Sequence, residues 1–265
     1  MFQSISKSAN HYWIGVTTWI VLGLTVSPTR ADLVVVQNPG FEDVAGSLLF
    51  NEFSFGPPVG WQIHNPNGVV VNNGVGPQFW LGTLRPSPPT NFFSVPEGQR
   101  VAISFNEFGT GNLGEYGLSQ TLSATLQANT RYELAVEIGN IASGTALNGQ
   151  FFNLNGFPGY RVDLLAGGVV IASDNNSLAG TIAEGEWGTS LISFETTASH
   201  LQLGQALGIR LVNLNVVDPS APTADLEVDF DHVRLSATAV PEPSSGVLLG
   251  FAIVVGAWTN RPRRR

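Results

Sequence analysis

The chain has 265 residues, of which 43% are hydrophobic and 12% charged, and its formal net charge is −8. Thirty glycines and sixteen prolines are too many helix breakers for a helical bundle or a coiled coil. A sequence without cysteine excludes a disulfide framework, a thiolate metal site and a cysteine nucleophile, and the negative charge argues against nucleic acid as a partner.

The amino terminus, residues 1–31, is typical of a secretory signal peptide. Lys7 supplies the positive start, an apolar stretch runs from Trp13 to Val26, and Ala31 offers a small residue at the cleavage position. The stretch is shorter than the ~20 residues that a membrane helix needs, and an uncleaved anchor is the alternative. We therefore expect an exported protein whose folded domain covers residues 32–239.

The folded domain shows the period of β-strands. Over residues 131–138 every second residue is apolar, beginning at Tyr132. The same alternation appears over residues 101–105, 160–164, 190–194, 209–211 and 225–230. Segments rich in glycine, asparagine and proline separate these runs, and no run has a helical period with caps. The pattern predicts an all-β fold, an antiparallel β-sandwich whose strands bury one face.

The domain carries nineteen acidic side chains against six arginines and has no lysine, a net charge of −13. Such a charge suits bound cations better than anionic partners. In the last predicted strand Asp225, Glu227 and Asp229 share one face, and the apolar positions change phase after Phe230. A change of phase predicts a β-bulge, which we place at Asp231 and the following histidine.

Two sets of carboxylates are candidates for the pair of catalytic carboxylates found in glycosidases. One set is the acidic face of the last strand, and the other is Glu184 with Glu186 beside Trp187. Carboxylates on solvated strands and turns are common, and nothing in the sequence marks either set as buried. We therefore expect no catalytic residue in this chain.

Two short motifs give the domain a resemblance to a known family. Residues 38–42 are Asn-Pro-Gly-Phe-Glu, and residues 229–235 are Asp-Phe-Asp-His-Val-Arg-Leu. This layout is similar to the galactose-binding-like jelly roll of carbohydrate-binding modules. The resemblance implies one structural Ca²⁺ that ties the first strand to the aspartate of the last strand. It assigns Glu42 and Asp231 as metal ligands, with Asn38 or Asp43 as helpers; a solvated acidic edge is the alternative.

The remaining candidates for ligand binding are aromatic. Trp80, Phe92, Phe93 and Phe152 lie in stretches rich in glycine, proline and asparagine. An exposed aromatic face beside amides can stack on a sugar ring while the amides bind its hydroxyls. The alternative is that these side chains plug the open ends of the sandwich.

The carboxyl terminus, residues 240–265, has three parts in a fixed order. The motif Pro241-Glu242-Pro243 is followed by an uncharged apolar segment, residues 246–259, and a basic end, residues 261–265. This order resembles the PEP-CTERM sorting tail of Gram-negative bacteria. The resemblance implies a short apolar helix that anchors the precursor transiently in the inner membrane, cleavage by an exosortase, and release to the cell surface or extracellular matrix. An ordinary single-pass anchor is the alternative.

These features together lead to a functional expectation. We expect a non-enzymatic, exported and surface-sorted β-sandwich protein that binds or associates with extracellular polysaccharide. One alternative is a secreted enzyme on the same fold, either glycan-active or a calcium-assisted cyclase. Another is a purely structural matrix protein. Jelly rolls host all three, so the fold alone does not choose among them.

Overall fold

The computed structural model describes residues 30–44, 48–71, 79–88, 90–109 and 114–241. These residues contain fifteen β-strands and no helix, and so no helix that is long and apolar enough to cross a membrane. The strands, in chain order, are β1 (Asp32–Val34), β2 (Leu48–Leu49), β3 (Phe53–Phe55), β4 (Gln62–His64), β5 (Phe79–Leu84), β6 (Val101–Asn106), β7 (Tyr116–Thr125), β8 (Thr130–Asn140), β9 (Gly144–Thr145), β10 (Phe151–Phe152), β11 (Tyr160–Ala166), β12 (Val169–Asn175), β13 (Glu186–Glu195), β14 (Ala206–Asn213) and β15 (Leu226–Ala239).

The strands form two sheets and a small ribbon. The large sheet has the order β13-β8-β15-β6-β5-β3-β2, and β1 pairs with the free stretch of β15. The second sheet has the order β12-β11-β14-β7-β4, and β9 pairs with β10 in the ribbon. All of these pairs are antiparallel. The prediction of an all-β, antiparallel sandwich is confirmed.

The main core lies between the two sheets. Tyr132, Leu134 and Ile138 of β8 are buried here, as the alternation in the sequence predicts. Val162 and Leu164 of β11 belong to the same cluster from the opposite sheet. Their strands therefore follow the ordinary rule that every second side chain of a sandwich strand points inward.

A second apolar cluster covers the outer face of the large sheet. It contains Val101, Ile103 and Phe105 of β6, together with Phe152 and Leu154 from the segment around the ribbon. All six residues of β6 are consequently buried. Val101, Ile103 and Phe105 are buried on the outer face, whereas Ala102 is buried in the main core. The expectation that each strand buries only one face is wrong for β6, because loops that are distant in sequence fold over its other face.

The last strand, β15, lies in the middle of the large sheet and pairs with β6 and β8. Its register against β8 shifts between Asp231 and Arg234, and His232 has a left-handed backbone with φ of 49°. The predicted bulge is therefore present. Because of the bulge, the carboxylate of Asp231 leaves the sheet and accepts a hydrogen bond from the main-chain N–H of Glu97, at 2.9 Å.

Candidate active site

A cleft opens on the outer face of the large sheet, beneath the ribbon of residues 144–152. The space inside it is narrow, about 20 Å³, which is roughly the room that one water molecule needs. Most of the residues that line it are apolar, and polar groups come from Glu52, Asn91 and Glu227. The cleft thus combines an apolar lining with a few polar groups.

Aromatic rings make up one wall of the cleft. Trp80 of β5 stacks on Phe105 with ring centroids 4.9 Å apart, and it meets Phe152 edge-on at 5.5 Å. Phe53 packs against the same indole at 5.6 Å. Three of these residues line the cleft, namely Phe53, Trp80 and Phe152. Aromatic rings of this kind can stack on a flat aromatic ligand and can stabilise a positive charge.

Glu227 presents a buried carboxyl group to this cleft. Its neighbour across the strand pair with β6 is Phe105, and only 7% of Glu227 is exposed. Burial, and after it the nearby Asp225 carboxylate, raises the pKa of Glu227 from its usual 4.5 to about 8, although the adjacent Asp229 carboxyl acts in the opposite direction. Glu227 is therefore a neutral carboxylic acid at pH 7.

Asp229 lies behind Glu227 on the same face of β15. It is fully buried between Ile103 of β6 and Gly139 of β8. Among the described residues, no amide or hydroxyl donates a hydrogen bond to either of its oxygens. Burial first, and then the Glu227 carboxyl with which it interacts, raises the pKa of Asp229 well above its ordinary value. The two carboxyls form a pair that retains protons in an apolar setting.

Gly139 allows aromatic rings to close over the sheet beside this pair. A β-carbon at this position would lie 2.8 Å from a ring atom of Trp187 and 2.9 Å from one of Phe92. The two rings pack with centroids 4.4 Å apart, and the Trp187 indole N–H donates to the Ser94 carbonyl. A residue without a side chain is required here, because the rings that exclude water from Asp229 occupy the space.

The sequence analysis considered the acidic face of the last strand and set it aside because nothing in the sequence marks it as buried. The sequence shows that Glu227 and Asp229 share a face, but it does not show that a second apolar layer covers that face. A signal was present in β6, where Ile103 and Phe105 place large apolar side chains on the strand that pairs with the acidic face. The other pair considered, Glu184 and Glu186, is exposed and does not enter the cleft.

The four aromatic residues predicted to bind a ligand are separated. Trp80 and Phe152 meet in the wall of the cleft, whereas Phe92 is fully buried beneath Trp187. Phe93 is 63% exposed and packs near Gly185. Because Phe92 and Phe152 are used to cover the sheet, the four do not form an exposed platform for a sugar ring.

The carboxylates predicted to bind a metal lie around the loop of residues 97–100. Glu42 Oε1 accepts hydrogen bonds from the N–H groups of Gln99 and Arg100, at 2.6 and 2.8 Å. Burial raises the pKa of Asp231 to about 7, and the nearby Glu97 and Glu42 carboxylates also raise it. Glu97 is a carboxylate of this cluster that the motifs did not reveal. Among the described residues, no group of three or more His, Cys, Asp or Glu side chains is arranged to hold a metal ion.

Asn38 and Asp43, the predicted additional metal ligands, take part in local hydrogen bonds. The Asn38 amide donates to the carbonyls of Asp43 and Val59, and its oxygen accepts from the Asp43 N–H. The side chain thereby closes the loop after β1, where Asn38 has a left-handed backbone with φ of 47°. Their assignment as metal ligands stays a prediction.

The family profile of HpiC1-like proteins, described as HpiC1 cyclase, matches residues 32–236. The chain belongs to the HpiC1-like cyclase family. No curated protein sequence matches it.

Solved structures of Fischerella cyclases share this fold. A cyclase from Fischerella sp. TAU is 37% identical, with 80% of this chain and 100% of that chain covered and a TM-score of 0.66. A Stig cyclase from Fischerella sp. TAU in complex with (3Z)-3-(1-methyl-2-pyrrolidinylidene)-3H-indole is 36% identical, with the same coverage and a TM-score of 0.66. A cyclase from Fischerella sp. TAU in complex with 4-(1H-indol-3-yl)butan-2-one is 37% identical, with the same coverage and a TM-score of 0.65.

Membership of the HpiC1-like cyclase family corrects the functional expectation. The family is neither that of PEP-CTERM sorting-domain proteins nor that of carbohydrate-binding modules, and the relatives are enzymes. The expected non-enzymatic role and the expected partners, polysaccharide and exosortase, are therefore wrong. Residues 38–42 and 229–235 resemble a family of similar fold, and fold alone does not determine function. Of the predicted tail, Glu242, Pro243 and residues 244–265 lie outside the described residues.

Proposed function

We propose that this chain is a cyclase for a small, flat aromatic substrate of the indole type, and that Glu227 is its general acid. The observation that carries the proposal is the buried Glu227 carboxyl, with a pKa of about 8, at the wall of an aromatic cleft. The indole compounds bound by two Fischerella relatives support the substrate class. An acid acts best when its pKa lies near the working pH, and Glu227 meets this condition.

The proton balance of such a ring closure is simple. Glu227 transfers its carboxyl proton to an unsaturated carbon of the substrate, which becomes cationic, and Glu227 becomes a carboxylate. An electron-rich carbon of the same molecule attacks the cation and closes the ring. Loss of a proton from the new ring returns it to Glu227, so the product is an isomer of the substrate. The faces of Trp80 and Phe53 stabilise the positive charge between these steps.

Asp229 contributes to the same step from behind Glu227. Since Asp229 keeps its proton, it donates a hydrogen bond to the Glu227 carboxylate that forms when the substrate is protonated. The apolar cover of Ile103 and Trp187 keeps water away from this pair. Protons are therefore exchanged with the substrate rather than with the solvent.

The proposal is tested by binding and by titration of the acid. We expect 4-(1H-indol-3-yl)butan-2-one to bind the wild-type protein with micromolar to millimolar affinity, measured by quenching of tryptophan fluorescence. We expect carboxyl-detected NMR of Glu-labelled protein to show one signal that titrates near pH 8 and is lost in Glu227→Gln.

Glu133→Gln is the matched control, because Glu133 is an exposed glutamate of β8 on the same sheet. A wild-type protein that does not bind the indole compound contradicts the substrate class. An acid that titrates below pH 6 contradicts the role of Glu227.

We also propose a structural Ca²⁺ held by Glu42 and Asp231, with Glu97 next to Asp231 and with Asn38 and Asp43 as the predicted helpers. Hard carboxylate oxygens are the ligands that calcium prefers, and after burial, the largest cause, the nearby Glu97 and Glu42 carboxylates also raise the pKa of Asp231. When bound, the ion neutralises these carboxylates and fixes the loop of residues 97–100 against β15. Addition of Ca²⁺ should raise the melting temperature of wild type but not of Asp231→Asn.

Two expectations about the chain remain proposals. The strand connectivity is that of a jelly roll, and residues 1–31 direct export of the folded domain, residues 32–239. The alternating strands and the apolar stretch from Trp13 to Val26 support them. Residues 1–29 lie outside the described part of the chain.

A further inference from the structure

The turn between β2 and β3 has an unfavourable backbone and lies at the wall of the cleft. Phe50 and Asn51 are both left-handed, with φ of 50° and 57°. Residues with a β-carbon adopt this conformation at a cost, which is larger for phenylalanine than for asparagine. The next residue, Glu52, lines the cleft. Other contacts must hold this turn in its observed shape.

The guanidinium of Arg100 supplies the side-chain contacts, in addition to the main-chain N–H of Arg85, which donates to the Glu52 carbonyl at 2.7 Å. Arg100 is only 6% exposed, and one of its terminal nitrogens donates to both the carbonyl and the side-chain oxygen of Asn51, each at 3.1 Å. The other terminal nitrogen donates to the Glu52 carbonyl at 3.4 Å and to the Thr83 hydroxyl at 3.1 Å. Since Thr83 belongs to β5, the guanidinium connects the turn to the centre of the sheet.

None of these four acceptors is a carboxylate. The nearby Glu42 carboxylate attracts the guanidinium, but the four hydrogen bonds to neutral oxygens set its orientation, which indicates a geometric role. The main chain of Arg100 is also fixed, because its N–H donates to Glu42 at 2.8 Å. The planar guanidinium therefore projects from an anchored backbone towards the turn.

The turn between β2 and β3 also holds the ribbon that covers the cleft. Glu52 Oε2 accepts a hydrogen bond from the N–H of Leu147 at 2.9 Å. Leu147 follows Ala146, and both Ala146 and Phe152 of the ribbon line the cleft. A continuous set of contacts thus runs from Arg100 through Glu52 to the cover of the cleft.

We propose that Arg100 is a positioning residue for the cleft: it holds the strained turn so that Glu52 fastens the ribbon of residues 144–152. Arg100 does not line the cleft itself and acts through Glu52. The consequence for ligand binding rests on the proposed function, whereas the consequence for the ribbon does not. Removal of the guanidinium releases the turn, the hydrogen bond to Leu147 weakens, and the cover opens.

The test compares Arg100→Met with wild type by hydrogen exchange and ligand binding, using the full chain. We expect amide exchange in residues 144–152 to rise roughly tenfold or more, because the hydrogen bond that protects Leu147 opens more often. Exchange in β11 and β14, which lie in the other sheet, should not change. The dissociation constant for 4-(1H-indol-3-yl)butan-2-one should rise by a similar factor.

Two further variants make the result specific. Arg131→Met removes an exposed arginine that pairs with Glu195, and it should leave the ribbon unchanged. Arg100→Lys keeps the charge but not the forked geometry, so it should open the ribbon as well, and it replaces Arg100→Met if that variant does not fold.

Unchanged exchange in the ribbon would overturn the proposal, and so would a uniform rise across both sheets, which indicates general destabilisation. If residues 144–152 stay fully protected from exchange in Arg100→Lys, the positive charge suffices and the forked shape of the guanidinium is not required. If wild type does not bind the indole compound, the proposed function fails, and the exchange data alone decide the role of Arg100.

Discussion

Replacement of the buried acid by its amide should change how stability depends on pH. In the folded chain Glu227 keeps its proton up to about pH 8, whereas an unfolded chain releases it near pH 4.5. Unfolding therefore releases a proton between these values, and the stability of wild type falls as the pH rises through this window. Glu227→Gln does not ionise, so this contribution disappears from the variant.

The size of the effect follows from the shift. One proton corresponds to about 1.4 kcal/mol of unfolding free energy per pH unit, so at pH 7 the buried acid costs roughly 3 kcal/mol. The difference in stability between Glu227→Gln and wild type should grow by about 1.4 kcal/mol per pH unit from pH 5 to pH 7.5. Its change with pH is the informative quantity, because differences in packing between acid and amide do not depend on pH.

Urea denaturation at several pH values, followed by tryptophan fluorescence, measures this difference directly. Glu133→Gln serves as the control on an exposed side chain of the same sheet. Parallel pH profiles for wild type and Glu227→Gln would refute the reasoning, because they would mean that Glu227 is ionised in the folded chain.

Three further predictions concern the wall of the cleft and the carboxylate cluster. Gly139→Ala should lower the unfolding free energy by about 1–3 kcal/mol in urea denaturation, because the added methyl group meets Trp187 and Phe92; no loss would contradict the packing. Trp80→Ala should weaken binding of 4-(1H-indol-3-yl)butan-2-one about tenfold in calorimetry, and equal binding would place the ligand elsewhere. In wild type a calcium chelator should lower the melting temperature, whereas in Asp231→Asn it should have no effect; a chelator effect in both would contradict the assigned ligand.

Local patterns in the sequence predicted the strands and the bulge but not the acid. The alternation around Tyr132 and the change of phase after Phe230 are visible within a few residues, and both appear in the structure. The same alternation placed Glu227 and Asp229 on one face, where the usual expectation is contact with water. Their protonation depends on Phe105 and Phe152, which lie far from them in sequence.

The sequence by itself determined the antiparallel sandwich, since a period of two and the glycine-rich connections suffice to build paired strands with an inner face. Only the tertiary structure decided that the outer face of the large sheet is also buried and that a cleft lies over Glu227. The physical reason is that the pKa of a carboxyl group depends on its access to water, and distant segments control that access here. The proposed function rests on that outer layer rather than on the strands themselves.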